Sequence, residues 1–450
     1  MAKGLPLAMP PQGSGLRPVP GDPGPPVIGY TFKFLRDPLG FGMQRYADYG
    51  QISWAKAFGT TLVTMLGPDA QAAVLVNRDK AFSNGKGWEY FIGPFFRRGL
   101  MLLDFDEHHH HRRIMQEAFT NERLAGYLTG MNETIERGID RWQPGDFLVL
   151  PALKQLTLDV ATETFVGAEL GATADGVNRA FIDTVRAGTS FVRFPVPGGR
   201  WAKGLRGRKV LESFLAGFVQ RKRESSGDDL FSALCHVTSE DGHQFSDEDI
   251  VNHMIFLLMA AHDTSTITTS TIAYYLAKNP EWQDRVREES LALGTKTLDY
   301  DDIEKLTSLD LVMRESLRLV SPVPAVARRA VKDTHVMGHF IPAGMLVTAG
   351  IGFTHHLPEY WPEPDRFDPE RFADDRREDK VHPHAWEPFG SGAHKCIGLR
   401  FGGMEIKAIM HQVLQKYRWS VPADYEMPID TTALPVPADG LPVKLQRIDN

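Results

Sequence analysis

The stretch from Ser246 to Lys278 limits most sharply what this chain can fold into. It reads as one helix: Ser246 followed by Asp249 forms a capping box with Asp in place of the usual Glu, and Asn279-Pro280 supplies a stop. At 1.5 Å per residue such a helix is about 50 Å long, enough to cross a whole domain. Its middle, Ile255-Phe256-Leu257-Leu258-Met259-Ala260-Ala261, is apolar nearly all round and is expected to be buried. A buried helix then has to accommodate His262-Asp263-Thr264-Ser265-Thr266, a polar run that is costly without partners.

The rest of the chain supports a large helical body. Helix periodicity recurs in 132–142, 153–166 and 208–223, and Asp37-Pro38-Leu39 opens a further amphipathic run that stops at Gly50. Residues 51–58 and 61–66, with Gly59-Thr60 between them, read as a hairpin. Short strand signals return only at 334–341, 345–350 and 419–445, so the expected fold is mainly α with a small β portion drawn from both ends of the chain. Residues 1–26 hold eight prolines and several glycines and are expected as an unpaired, extended leader. Residues 27–450 are expected as a single domain.

Among 450 residues, 42% are hydrophobic and the net charge is −7, which excludes global disorder and argues against a general nucleic-acid binder. No stretch approaches the roughly 20 apolar residues that span a bilayer. Two cysteines provide no disulfide framework and suit a reducing cytoplasm. One of them, Cys396, lies in Phe389-Gly390-Ser391-Gly392-Ala393-His394-Lys395-Cys396-Ile397-Gly398, ahead of a helix candidate beginning at Leu399. Gly392 permits a tight turn, and a helix N-terminus aims N–H groups and a positive dipole at the sulfur, which favours a thiolate. A lone cysteine is more often a small buried hydrophobe; the spacing of Phe389, Gly392, His394 and Gly398 speaks for a ligand.

Phe-x-x-Gly-x-His-x-Cys-x-Gly resembles the haem-binding loop of the cytochrome P-450 monooxygenases, and two further motifs follow that family's order. Glu315-Ser316-Leu317-Arg318 resembles its Glu-x-x-Arg helix, with Arg371 of Pro369-Glu370-Arg371-Phe372 as the third member of a structural ion cluster. Asp263-Thr264 resembles its acid–alcohol pair on the long helix over the haem, where protons are delivered from a locally opened turn; Ala261 stands where the family usually has glycine. The resemblance implies haem b (iron protoporphyrin IX) bound through Cys396. It also implies His108, Arg112, Arg328 and His394 as propionate partners. The run His108-His109-His110-His111 is otherwise a poor metal site, because adjacent histidines splay round a helix and no further ligands follow at zinc spacing. His109, His110 and Arg113 are expected on the solvated face.

The implied activity is insertion of one oxygen atom of O₂ into a C–H bond of a hydrophobic sterol, terpenoid or fatty-acyl substrate. Electrons would come from NAD(P)H only indirectly, through a reductase and a ferredoxin or flavodoxin docking on Arg112, Arg113, Lys395, Arg400 and Lys407. Substrate-lining candidates are Trp88, Tyr90, Phe91, Phe95, Phe191, Phe194, Ala260, Ala261, Val323, Val326 and Leu434. The segments Pro23-Gly24-Pro25-Pro26 and Phe34–Leu39 resemble the sterol-demethylase-like branch. The basic and aromatic lid between Phe191 and Lys209 could touch a membrane surface, although a solvated lid is the simpler reading. A monomer is expected. The rival functions are a peroxide-driven haem hydroxylase and a haem-based ligand sensor or carrier.

Overall fold

Alternation of apolar residues sets the first layer. In the computed structural model, Ile52–Ala57 and Thr60–Met65 pair antiparallel, with Ile52 opposite Met65. Their turn residues are Phe58 (φ 54°) and Gly59 (φ 72°), both left-handed, so Thr60 opens the second strand instead of lying in the turn. Leu346–Ala349 joins parallel and Val326–Ala330 antiparallel, within a seven-stranded sheet whose other members are short. Val19, Trp54, Val63, Met65, Val74, Phe82 and Val347 fill the core beneath it. The structure describes residues 4–167, 174–188, 190, 192–239 and 241–448.

The chain forms two compact units, neither contiguous in sequence. The first comprises Met1–Tyr90, Arg314–Cys396 and Asp430–Pro435, and the second Phe91–Met313, Ile397–Ile429 and Val436–Asn450. The leader is not unpaired: Leu5–Pro6 and Pro20–Asp22 are strands of the first unit's large sheet, and Arg17–Pro18 pairs with His339–Ile341. Two local features make this feasible. A Cβ at Gly21 would lie 2.0 Å from the Trp54 carbonyl oxygen, so only glycine allows that approach. Pro6, Pro18 and Pro20 fall in two- and three-residue strands, where few amide donors are needed, and the other five prolines lie outside the strands.

Asp22 then ties the leader to the sheet. Its carboxylate accepts from Tyr30 at 2.7 Å, Tyr49 at 2.9 Å and Arg45 at 2.5 Å, and buried Arg45 also donates to the Trp54 carbonyl. Burial pushes the Asp22 pKa up, but these three donors outweigh it and hold the carboxyl below its ordinary value.

The second unit is built round the long helix Asp247–Lys278, capped by the Ser246 hydroxyl, which accepts from the Asp249 amide at 3.1 Å. Helices Val149–Val166, Arg200–Glu224 and Leu399–Lys416 pack on it, and a three-stranded sheet (Tyr417–Ser420, Pro442–Arg447, Gly145–Leu148) completes the unit. The strand signal at 419–445 is thus several short strands. Among the described residues no helix is long and apolar enough to cross a membrane. Replacing Asp22 with Ala leaves the Arg45 guanidinium buried beside two orphaned phenols. Denaturant unfolding should show a loss of about 2 kcal/mol, and a loss under about 0.5 kcal/mol would contradict this role.

Candidate functional site

In the first unit the cysteine loop is fixed by a close approach. Gly392 has φ 68°, and a Cβ there would lie 2.3 Å from the Leu75 carbonyl oxygen, so the loop presses on helix Pro68–Val76. Residues Gly392–His394 form one 3₁₀ turn, and the Cys396 amide donates to the Phe389 carbonyl at 2.8 Å. Cys396 is exposed, and helix Leu399–Lys416 begins three residues later, with Gly398 at its N-cap. Cys235 contrasts with it: buried, its thiol is pushed up to about 11 and is inert.

Arg328 is buried on strand Val326–Ala330. Phe82 and Ser83 pair with that strand, and a Cβ at Gly87 would lie 2.5 Å from the Arg328 Cα. Between them, Asn84 places its amide nitrogen 3.2 Å from Nδ1 of His394. One short segment therefore touches both the strand of Arg328 and the loop of His394. Asn84 had no sequence signal of its own; only the pairing of residues 82–83 reveals it.

The ion cluster is the most buried charge in this unit. Arg318 and Glu315 are fully buried and bidentate, at 2.7 and 2.9 Å, and the Arg371 Nε lies 3.4 Å from Glu315. Arg318 also donates to the carbonyls of His355, Pro364 and Arg366, Glu315 accepts from the Asp368 amide, and Arg371 reaches the Glu363 carbonyl and Glu378. Burial raises the Glu315 pKa, against the opposing pull of Arg318, the Asp368 amide and Arg371.

In the second unit, Asp263 and Thr264 sit on the central helix, which is unbroken there. The expected opened turn is absent, and the Thr264 hydroxyl donates back to the Ala260 carbonyl at 2.8 Å. Asp263 lies 3.1 Å from His262 Nδ1 and 3.5 Å from Lys154 on helix Val149–Val166. Burial works against its charge, but those two partners hold its pKa below the ordinary value. Sequence reading missed Lys154, whose own backbone carbonyl lies 3.1 Å from Nε2 of His262, 108 positions further along the chain. It also missed Glu405, which is buried on helix Leu399–Lys416 and accepts from the Ser265 hydroxyl at 2.5 Å. With no cation beside it, burial pushes Glu405 up to about 7.

On the helix Phe105–Gln116, His108 is buried and Arg112 half-buried, while His109 and Arg113 are exposed. His111, to which the sequence reading assigned no individual place, is buried as well. The basic surface needs one correction: Lys407 is buried, paired with Asp310 at 2.9 Å and donating to the Ile303 carbonyl, because it lies on the inward face of its helix. Lys395 and Arg400 are exposed.

The substrate candidates scatter. Trp88, Phe91, Ala260, Ala261, Val323, Val326 and Leu434 are half-buried, whereas Tyr90 and Phe194 are exposed. Phe95 is fully buried, its ring 4.7 Å from that of Trp201, and is a core residue of the second unit. Phe191 lies outside the described residues.

An exposed sulfur on a glycine-pinned loop, with an arginine and an imidazole on the same unit, is a soft donor beside N–H donors. That donor set fits an iron porphyrin carrying carboxylates. Glu405 gives a test of the second unit that needs no haem. A carboxyl raised to about 7 in the fold contributes stability that is fully present below its ordinary value of 4.5 and is lost as pH rises through 7. The stability difference between Glu405→Gln and the parent should shift by about 3 kcal/mol in the variant's favour from pH 4.5 to 8. A pH-independent difference would contradict it.

A family model described as cytochrome P450 matches residues 19–445. Cytochrome P450 136 of Mycobacterium tuberculosis is 49% identical over 98% of this chain and 91% of its own. Abscisic acid 8'-hydroxylase 2 of Oryza sativa subsp. indica is 29% identical, over 96% and 86% of the two chains. The solved structure of retinoic acid bound cyanobacterial CYP120A1 superposes with a TM-score of 0.85 at 27% identity, covering 96% of this chain and all of that one. The chain belongs to the cytochrome P450 family and is a haem-dependent monooxygenase.

Proposed function

We propose that the protein hydroxylates an isoprenoid substrate, a sterol or terpenoid rather than a fatty acid, with O₂ and two electrons delivered by a separate ferredoxin or flavodoxin and its NAD(P)H-dependent reductase. The relatives support the substrate class: abscisic acid and retinoic acid are both isoprenoid carboxylic acids. The observation that carries the mechanism is Asp263 beside Thr264 on the buried central helix, with Lys154 and His262 on the carboxylate.

Cys396 would hold the haem iron as a thiolate, with His394, Arg328, His108 and Arg112 on the propionates. When bound, the haem supplies O₂ activation, so that one oxygen atom enters a C–H bond and the other leaves as water with two protons and two electrons. The chain's own work is proton handling and exclusion of water. Lys154 is 45% exposed and the Asp263 side chain 18%, so a proton can pass inward from solvent along this pair. Thr264 can exchange its bond to the Ala260 carbonyl for one to a reacting oxygen or a water.

In a reconstituted system of NADPH, a surrogate ferredoxin and its reductase, an isoprenoid acid should gain one oxygen atom. Thr264→Ala should keep consuming NADPH but lower product per NADPH at least fivefold. Substrate-induced spectral change without product would favour a sensor or carrier, and product from peroxide alone would favour a peroxide-driven enzyme. Exposed Lys395 and Arg400 would form the partner's docking face. Reversing both charges should slow reduction at least tenfold at low salt, and unchanged rates would refute that face.

A further inference from the structure

The buried rings of His111 and His253 meet edge-on with centroids 5.1 Å apart, and Nδ1 of His111 lies 2.8 Å from Nε2 of His253. One hydrogen bond between two imidazoles requires one donor and one acceptor nitrogen, so the two facing nitrogens share a single proton. The proton can be placed. Nδ1 of His253 is buried and has no hydrogen-bond partner among the described residues. A proton there would strand a buried N–H at a cost of about 1–3 kcal/mol. The proton therefore sits on Nε2 of His253 and is donated to His111. Any further proton has to enter at the unpartnered nitrogen or at the acceptor nitrogen, where it sets N–H against N–H.

This pair joins the helix Phe105–Gln116 to the central helix, and its surroundings offer little to stabilise a charge. From the central helix Asp249 faces it, but the carboxylate is already engaged by Arg98 at 2.8 Å and by the Ser246 hydroxyl. From the helix Phe105–Gln116 come Glu107, itself 3.1 Å from Arg98, and His110. From the segment before the central helix come His243, against His110, and the ring of Phe245, against both imidazoles. Burial depresses the protonation of both rings, helped by Arg98 and His110 at His111 and by His111 at His253, which falls to about 3.

We infer that the His111–His253 pair positions the helix carrying His108 and Arg112 on the central helix only while both rings are neutral, and so makes haem retention acid-sensitive. The link to haem rests on the reading of His108 and Arg112 as propionate partners; the pair itself does not. The sign follows from linkage. Depressed folded-state affinity for protons gives stability that is full above the ordinary histidine value of about 6.5 and declines as pH falls below it. His111 and His253 are positioning residues and touch no reacting atom.

The test compares haem transfer from the holoenzyme to apomyoglobin, and denaturant unfolding of the same protein, at pH 7.5 and 5.5. His253→Gln keeps an amide donor for His111 and cannot take up a proton. The parent should lose haem at least tenfold faster at pH 5.5 and be less stable there, while the variant changes less than threefold and matches the parent at pH 7.5. If Gln is not accommodated at 253, His111→Gln reads the same pair from the other side. Parallel acid loss of stability in parent and variants would overturn the latch. Acid-sensitive stability with unchanged haem transfer, together with normal haem affinity in His108→Ala, would instead overturn the propionate reading.

Discussion

A carboxylate and two guanidinium groups without access to water have to satisfy one another, and the backbone of the first unit is arranged to let them. Glu315, Arg318 and Arg371 fix main-chain groups at positions 355, 363, 364, 366 and 368, segments that are otherwise irregular. A long irregular stretch can hold one conformation here because its carbonyls are acceptors for buried cations, each bond being charge-assisted. The same stretch leads into the cysteine loop. Removing Glu315 or Arg318 would leave an uncompensated buried charge, a cost of roughly 3–5 kcal/mol. The order of the loop at Cys396 therefore depends on ions that never meet a substrate.

The second unit solves the converse problem of polar groups in a buried helix. Thr264, Thr266, Thr268, Thr269 and Thr271 each return the hydroxyl to the carbonyl four residues back. These bonds let the helix run continuously through a polar segment, and they leave Thr264 with a bond it can exchange. Asp263 remains charged through His262 and Lys154, whereas Glu405, one helix away, has only a hydroxyl and is poised to be neutral. Two carboxyls on neighbouring helices are thus set to opposite states by whether a cation lies nearby.

Much of this was legible in the sequence because the signals were local. The cap at Ser246, the glycine stop at Gly50, the spacing round Cys396 and the i,i+3 spacing of Glu315 and Arg318 all act within a few residues. What was not legible depends on contacts distant along the chain. Gly21 admits the Trp54 backbone and so turns a proline-rich leader into sheet edge. Lys407 follows helix periodicity inward to Asp310, although its charge suggested a surface. Lys154, Glu405, Asn84 and the His111–His253 pair carry no motif, since each takes its meaning from a partner more than 100 residues away.

Every functional assignment depends on the Cys396 sulfur binding haem iron as a thiolate. The absorption spectrum of the reduced carbonyl complex tests it most directly, measured on the parent protein and on Cys396→His. The parent should show the strongly red-shifted Soret band of a thiolate-ligated haem, and the variant the band of an imidazole-ligated one. A parent spectrum matching the histidine variant, or a parent that binds no haem when haem is supplied in excess, would contradict it.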